Sequence, residues 1–131
     1  MFFRYALTIP AGTPELDPIE LYCNLTHGIV TGVWVGFPAG CAATVRVRIY
    51  RQEHQLWPLN PGAYFAGDNY VFNFDERFEL FQPPYQVLVR GSSPEAQQKH
   101  EVTICFEVFT TEETWGLALL ESIFGSAVSE E

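Results

Sequence analysis

Short runs of β-prone residues, each closed by a breaker rich in glycine or proline, recur along the first 109 residues of this 131-residue chain. One run, 44–51, alternates cleanly, with Val45, Val47 and Ile49 on one face and polar or aromatic residues on the other. A period of two residues is typical of a strand with one buried and one wet face. The runs span residues 2–9, 19–25, 28–37, 44–51, 69–74, 77–81, 85–90 and 101–109.

About eight short strands without a helical pattern between them predict an all-β fold, an antiparallel sandwich of two sheets. A jelly roll is the topology that we expect. Up-and-down barrels and immunoglobulin-like sandwiches have the same signature, but the spacing of cysteine and tryptophan in immunoglobulin domains fits poorly, because Cys41 follows Trp34 after only seven residues. The predicted β-sandwich domain, with an extended N-terminal arm, spans residues 1–109.

Two connecting regions carry more specific predictions. Residues 52–68 contain several prolines and glycines with Trp57, Tyr64 and Phe65 among them, which predicts a long ordered loop pinned by aromatic side chains. The polar pair Asp75-Glu76 separates two short apolar runs and predicts a tight turn between two strands.

From Thr110 onward the pattern changes to that of a helix. Residues 110–113, Thr-Thr-Glu-Glu, match a capping box, and at 100° per residue the following apolar side chains spread over roughly 220°, about twice the usual stripe. This C-terminal amphipathic helix, residues 110–131, either lies across its own sheet or is covered by a second surface, from a sister subunit or another protein. The residues predicted to contact the partner are Trp115, Leu119, Leu120, Ile123 and Phe124.

The charge pattern argues against two classes of partner. The formal net charge is −9, and residues 110–131 contain five acids and no base. Because binding to phosphate backbones and anionic lipids depends on Lys and Arg, we expect neither nucleic acid nor membrane as a partner. The outward arginines Arg46 and Arg48 are predicted to pair with strand acids such as Glu101 or Glu107, or with an acidic neighbouring subunit.

No motif in the chain predicts catalysis, a metal or a cofactor. A G-x-S-x-G elbow, a P-loop and a G-x-G-x-x-G fingerprint are all absent from the sequence. His27, His54 and His100 lack the spacing of a metal site, so ordinary loop or core roles are predicted for them. Three cysteines without a C-x-x-C pair indicate a reducing compartment, and the first residues lack the pattern of a secretory signal. We expect a non-enzymatic protein that assembles in the cytoplasm.

Exposed aromatic residues provide an alternative function. Trp34, Trp57, Tyr64 and Tyr70 could form a platform that stacks on sugar rings, as in a non-catalytic carbohydrate-binding β-sandwich. The simpler interpretation is that Trp34 lies in the core and that Trp57 only pins its loop. The predicted stacking residues of this alternative are Trp57 and Tyr64.

At the level of pattern, the predicted strands, the arm with Pro10, Pro14 and Pro18, and the apolar C-terminal helix resemble small jelly-roll virion proteins of phages, including head-decoration proteins. The resemblance rests on architecture and carries over no functional residue. It implies a trimer-forming β-sandwich that cements a larger shell, with terminal arms that reach neighbours. The alternative interpretation of the arm is that it is only a stiff connector between two strands. We therefore expect a structural protein of a virion, a homo-oligomer that docks through its C-terminal helix.

Overall fold

The computed structural model describes residues 1–60 and 62–110, which form two four-stranded antiparallel sheets. No helix lies in this part of the chain, so the all-β prediction is confirmed for it. The strands are β1 (Phe2–Ile9), β2 (Ile19–Asn24), β3 (Gly28–Phe37), β4 (Arg46–Arg51), β5 (His54–Trp57), β6 (Tyr70–Leu80), β7 (Gln86–Ser92) and β8 (His100–Thr110).

The order of the strands is that of a jelly roll. The first sheet has the order β1-β8-β3-β6 and the second has β2-β7-β4-β5. Antiparallel pairs are nested, with β1 on β8, β2 on β7, β3 on β6 and β4 on β5, as if one long hairpin were folded across itself. This nesting alternates the strands between two packed sheets and gives the predicted topology.

The core lies between the two sheets and consists of the inward side of each alternating strand. Val47 and Ile49 of β4 and Ile104, Phe106 and Val108 of β8 are completely buried. Burial of one large apolar side chain stabilises the fold by roughly 1.5–3 kcal/mol, so this layer supplies the main driving force for folding. The inward faces predicted for these two strands are confirmed.

Two local predictions are wrong. The segment predicted as a loop from residue 52 contains the short strand β5, which pairs with β4 through a hairpin where Arg51 lies opposite His54. The predicted turn at Asp75-Glu76 lies inside the continuous strand β6. There the register on β3 shifts by one residue, because an extra residue is accommodated as a bulge and not by reversal of the chain.

The proline-rich segment of residues 10–18 packs against its own domain. The backbone N–H of Ser93 donates to Thr13 O at 2.9 Å, and the Ser93 hydroxyl donates to Pro10 O at 2.7 Å. Glu15 bridges Arg46 and Arg48 with two ion pairs of 3.0 Å each, so those arginines pair with the arm and not with Glu101 or Glu107 as predicted. In this position residues 10–18 connect β1 to β2.

The predicted helical tail falls outside the described residues except for Thr110, which is the last residue of β8. The same holds for all its predicted partner-binding residues. These are Trp115, Leu119, Leu120, Ile123 and Phe124.

Candidate interaction surface

Strand β1 is one edge of the first sheet, and its outer side is a row of backbone bonding groups. It pairs with β8 from Phe2 opposite Glu107 to Ile9 opposite His100, without a register shift. Met1 and Val108 exchange both backbone hydrogen bonds at 2.7 Å. Because bonded and non-bonded pairs alternate in an antiparallel ladder, odd-numbered residues of β1 bond to β8 and even-numbered residues point their backbone groups away from it.

The outward-pointing residues have no second backbone partner within residues 1–60 and 62–110. These four residues are Phe2, Arg4, Ala6 and Thr8. An unpaired edge of this kind is a template for another strand, and natural sheets usually protect it with charges, prolines, bulges or a covering loop. Between residues 2 and 9, β1 has one charged side chain, no proline and no bulge.

Beside this edge, an aromatic pair lies on the outer face of the first sheet. The rings of Phe2 and Trp34 meet edge to face with centroids 5.3 Å apart, and Phe2 is 61% exposed. A Cβ on Gly32 would lie 3.0 Å from the Trp34 ring, so this glycine makes room for the indole. The prediction that Trp34 lies in the core is wrong, because its neighbours Val33 and Val35 take the inward positions of β3.

The opposite edge of the first sheet, β6, is protected. Its middle contains the register shift and the acids Asp75 and Glu76, and Glu79 follows. The Glu76 side chain accepts a hydrogen bond from Trp57 of the second sheet. Tyr70 at the start of β6 is exposed and packs edge to face on Phe72. A bulge and several charges make β6 a poorer template for strand pairing than β1.

Trp57, predicted as a stacking residue, lies in the core with 5% of its surface exposed. Its Nε1–H donates to Glu76 Oε2 at 2.6 Å. The rings of Phe74, Phe78 and Phe106 have centroids 5.9–6.4 Å from that of Trp57. The indole therefore joins the end of the second sheet to β6 of the first, and it offers no open face to a sugar ring.

Tyr64, the other predicted stacking residue, is 41% exposed and lies under two cations. The guanidinium groups of Arg46 and Arg48 are 5.0 and 5.3 Å from its ring centroid. The Arg48 Nε–H donates to Ala63 O at 3.0 Å, which fixes the segment that carries the ring. Tyr64 thus takes part in cation–π contacts that attach the loop to β4. It does not form a common surface with Trp57, which is buried.

A polar cleft of about 430 Å³ lies between residues 15–20 and the outer face of the second sheet. Arg90 donates to Glu20 Oε2 at 2.8 Å and its guanidinium lies 4.6 Å from the Tyr50 ring centroid. The sequence did not predict this cleft, because its acids and bases are far apart along the chain. Its ion pairs hold the N-terminal segment on the sheet.

The cysteines and histidines of the described chain do not form a reactive or metal-binding cluster. No group of three or more potential metal ligands occurs in residues 1–60 and 62–110. Burial raises the pKa of Cys23 to about 12, so this thiol stays protonated at neutral pH. His27 stacks on Phe81 with centroids 5.0 Å apart. Residues 1–60 and 62–110 contain no helix that could span a membrane.

Comparison with known proteins yields matches of structure alone. No family model and no curated protein match the sequence. A disulfide-linked pilus protein of Bacillus endospore appendages has 12% identity and a TM-score of 0.44, over 85% of this chain and 88% of that one. The lysozyme inhibitor PliG of Aeromonas hydrophila has 10% identity and a TM-score of 0.41, over 82% and 84%. A designed double-stranded β-helix has 10% identity and a TM-score of 0.39, over 80% and 99%.

These likenesses concern the β architecture and assign no function. None of the three structures is described as a phage virion protein.

Proposed function

We propose that this protein is a structural subunit that assembles with further copies of itself. The observation that carries the proposal is the β1 edge, a regular, largely apolar strand whose outer backbone groups have no partner within the described residues. An edge of this length favours pairing with another chain, and its protection within the described residues is limited to the single charge of Arg4, with no proline and no bulge. The exposed ring of Phe2 adds apolar surface at the same place.

The C-terminal tail is the second contact element of the proposal. Its sequence provides five large apolar residues on a predicted helix, more than a single sheet face covers. The particular assembly we propose is a phage virion, with the protein as a decoration or minor capsid component that forms a trimer and contacts a larger shell protein. The support for this finer assignment is the resemblance in pattern to small jelly-roll virion proteins.

The proposal includes no catalysis, no cofactor and no nucleic-acid or membrane partner, and it places assembly in the cytoplasm. A net charge of −9 supports the exclusion of nucleic acid and anionic lipid, because each of those partners is bound chiefly through Lys and Arg. The two predicted stacking residues of the carbohydrate-binding alternative do not form an exposed aromatic surface, since Trp57 is buried and the ring of Tyr64 is covered by two arginines. We therefore do not propose it.

The mass of the full chain in solution tests the proposal. Sedimentation velocity over a wide range of concentrations should give multiples of the 14.9 kDa chain mass, and a trimer would give three times that mass. The double variant Leu120→Glu, Phe124→Glu tests the tail and should reduce the mass. Ser122→Glu, on the polar side of the predicted helix, is the matched control and should leave it unchanged. A wild-type chain that remains monomeric at every concentration refutes the proposal.

A further inference from the structure

We propose that β1 pairs antiparallel with β1 of a second copy around a two-fold axis, which joins two first sheets into one continuous sheet. This inference rests on the proposed self-assembly and names the contact that makes it. A two-fold contact is isologous, since the same patch serves both copies. It builds dimers, so the proposed trimer would need a separate three-fold interface, and the two contacts together would give a hexamer.

Hydrogen-bond complementarity defines the register of this pair. On each copy the even-numbered residues of β1 direct N–H and C=O outward. A two-fold axis beside Tyr5 brings Phe2 opposite Thr8 of the second copy and Arg4 opposite Ala6. Each of these opposed pairs exchanges two hydrogen bonds, so every outward group of the strand is satisfied. A shift along the strand would leave outward groups at both ends without partners.

The side chains fit the same register. Phe3 and Tyr5 point toward the core, and the described residues leave both of them only half-buried. In the paired arrangement Phe3 lies opposite Leu7 of the second copy and Tyr5 lies opposite its own equivalent, which extends the apolar layer across the axis. On the outer face, Phe2 gains a neighbour in Thr8. Apolar surface that is exposed in one copy is thus covered in two.

The regularity of β1 favours a second β1 over β6, the other edge strand of the first sheet, as its partner. In this register the only charged side chain of β1, Arg4, lies opposite the small Ala6 and faces no like charge directly. The edge strand β6 has a bulge in its middle, so it cannot match the regular eight-residue ladder of β1. Pairing of β1 with β6 would also be heterologous and would give rings or open polymers.

The decisive variant is Ala6→Pro. It removes an outward N–H without touching a hydrogen bond between β1 and β8, and proline is tolerated at such edge positions. Two hydrogen bonds are lost per dimer, so self-association should weaken roughly 10- to 100-fold in sedimentation velocity. Ala6→Ser keeps the N–H and should associate like the wild type. Circular dichroism and thermal unfolding verify that each variant is folded.

A charge pair at the same position tests the register and does not depend on the proline variant folding. Glu at residue 6 would lie opposite Arg4 of the second copy, and Lys would lie opposite it with a like charge. Ala6→Glu should therefore strengthen association and Ala6→Lys should weaken it, each by roughly 2- to 10-fold and less at high salt. Equal effects of the two substitutions would overturn this register.

Amide hydrogen exchange provides a direct measurement. The N–H groups of Arg4 and Ala6 should become protected as concentration rises, whereas those of Tyr5 and Leu7 should be protected at all concentrations because they bond to β8. If the wild type is oligomeric but neither the variants nor the exchange pattern respond, the β1 contact is refuted and self-assembly stands. If the wild type is monomeric, both are refuted. Ring or polymer masses that Ala6→Pro abolishes would point to a different edge strand as the partner, β6 of the first sheet or β2 or β5 of the second, and would also overturn the β1 pair.

Discussion

Replacement of Trp57 by phenylalanine tests whether this residue is structural or available for a ligand. In the structure its indole is buried, donates to Glu76 Oε2 at 2.6 Å and packs among core phenylalanines including Phe106. If these contacts matter, Trp57→Phe destabilises the fold. A residue that only stacked on a sugar would leave stability unchanged after the same substitution.

The expected magnitude follows from two losses. The volume removed is about 40 Å³, which at roughly 24 cal/mol per Å³ corresponds to ~1 kcal/mol. The lost hydrogen bond to a carboxylate contributes about 1 kcal/mol, below the usual range for charged acceptors, because the exposed Glu76 regains water. Trp57→Phe should therefore lower the free energy of unfolding by about 2 kcal/mol, and Trp57→Ala should lower it by about 3–5 kcal/mol.

Urea unfolding followed by circular dichroism measures these values without relying on tryptophan fluorescence. Glu76→Gln is the matched control, since its amide oxygen can still accept the indole N–H, and it should be less destabilising than Trp57→Phe. A double-mutant cycle with Glu76→Ala should give a coupling energy of about 1 kcal/mol. If Trp57→Phe is within about 0.5 kcal/mol of the wild type, the structural role argued for this residue is refuted.

Three further predictions concern the packing, the pH dependence and the thiols. Gly91→Ala should lower the free energy of unfolding by about 1–3 kcal/mol, because the added Cβ would lie 2.4 Å from Ile9 Cδ1. Gly36→Ala is the control and should be nearly neutral, since its added Cβ would have no contact closer than 3.5 Å. Equal losses of stability in urea unfolding would contradict this prediction. Backbone N–H groups, foremost that of Ala42, lower the pKa of Asp68. The stabilising contribution of ionised Asp68 is therefore complete above the ordinary Asp pKa of about 3.9 and is lost as pH falls through the lower pKa of the folded state. Asp68→Asn should accordingly reduce the dependence of the free energy of unfolding on pH in this acid range. The three cysteines are buried and should react with Ellman's reagent only after unfolding; rapid labelling of the native protein would contradict their placement.

Local periodicity explains what could be predicted from the sequence. Val47 and Ile49 alternate with polar residues, and that pattern alone identified a strand and its buried face, because side chains of a strand point to opposite sides in turn. The same rule places Trp34 on the face opposite Val33 and Val35, and the apolar character of the whole strand led to the prediction that it also lies in the core. The rule applies to each strand separately, so it says nothing about which strands are neighbours.

The missed features all depend on partners distant in sequence. Strand β5 is four residues long and begins with His54 and Gln55, so it has too few apolar residues to stand out from a loop, and only its ladder to β4 defines it. Asp75-Glu76 has the composition of a turn, yet it forms a bulge because β3 holds both sides of it. The sequence places Trp57 in a connecting region, either as the residue that pins the loop or as a stacking residue, and only its contacts with the other sheet, such as that with Glu76, reveal its burial.

The sequence by itself determined that the first 109 residues form short strands with one apolar face each, since strand periodicity and breakers are properties of neighbouring residues. The tertiary structure decided which strand lies at an open edge. Strand β1 became that edge because nested pairing places β8, almost 100 residues later, on one side of it and leaves its other side without a described partner. Hydrogen bonds between distant strands therefore determine which backbone groups remain unpaired, and a local pattern contains no record of those bonds.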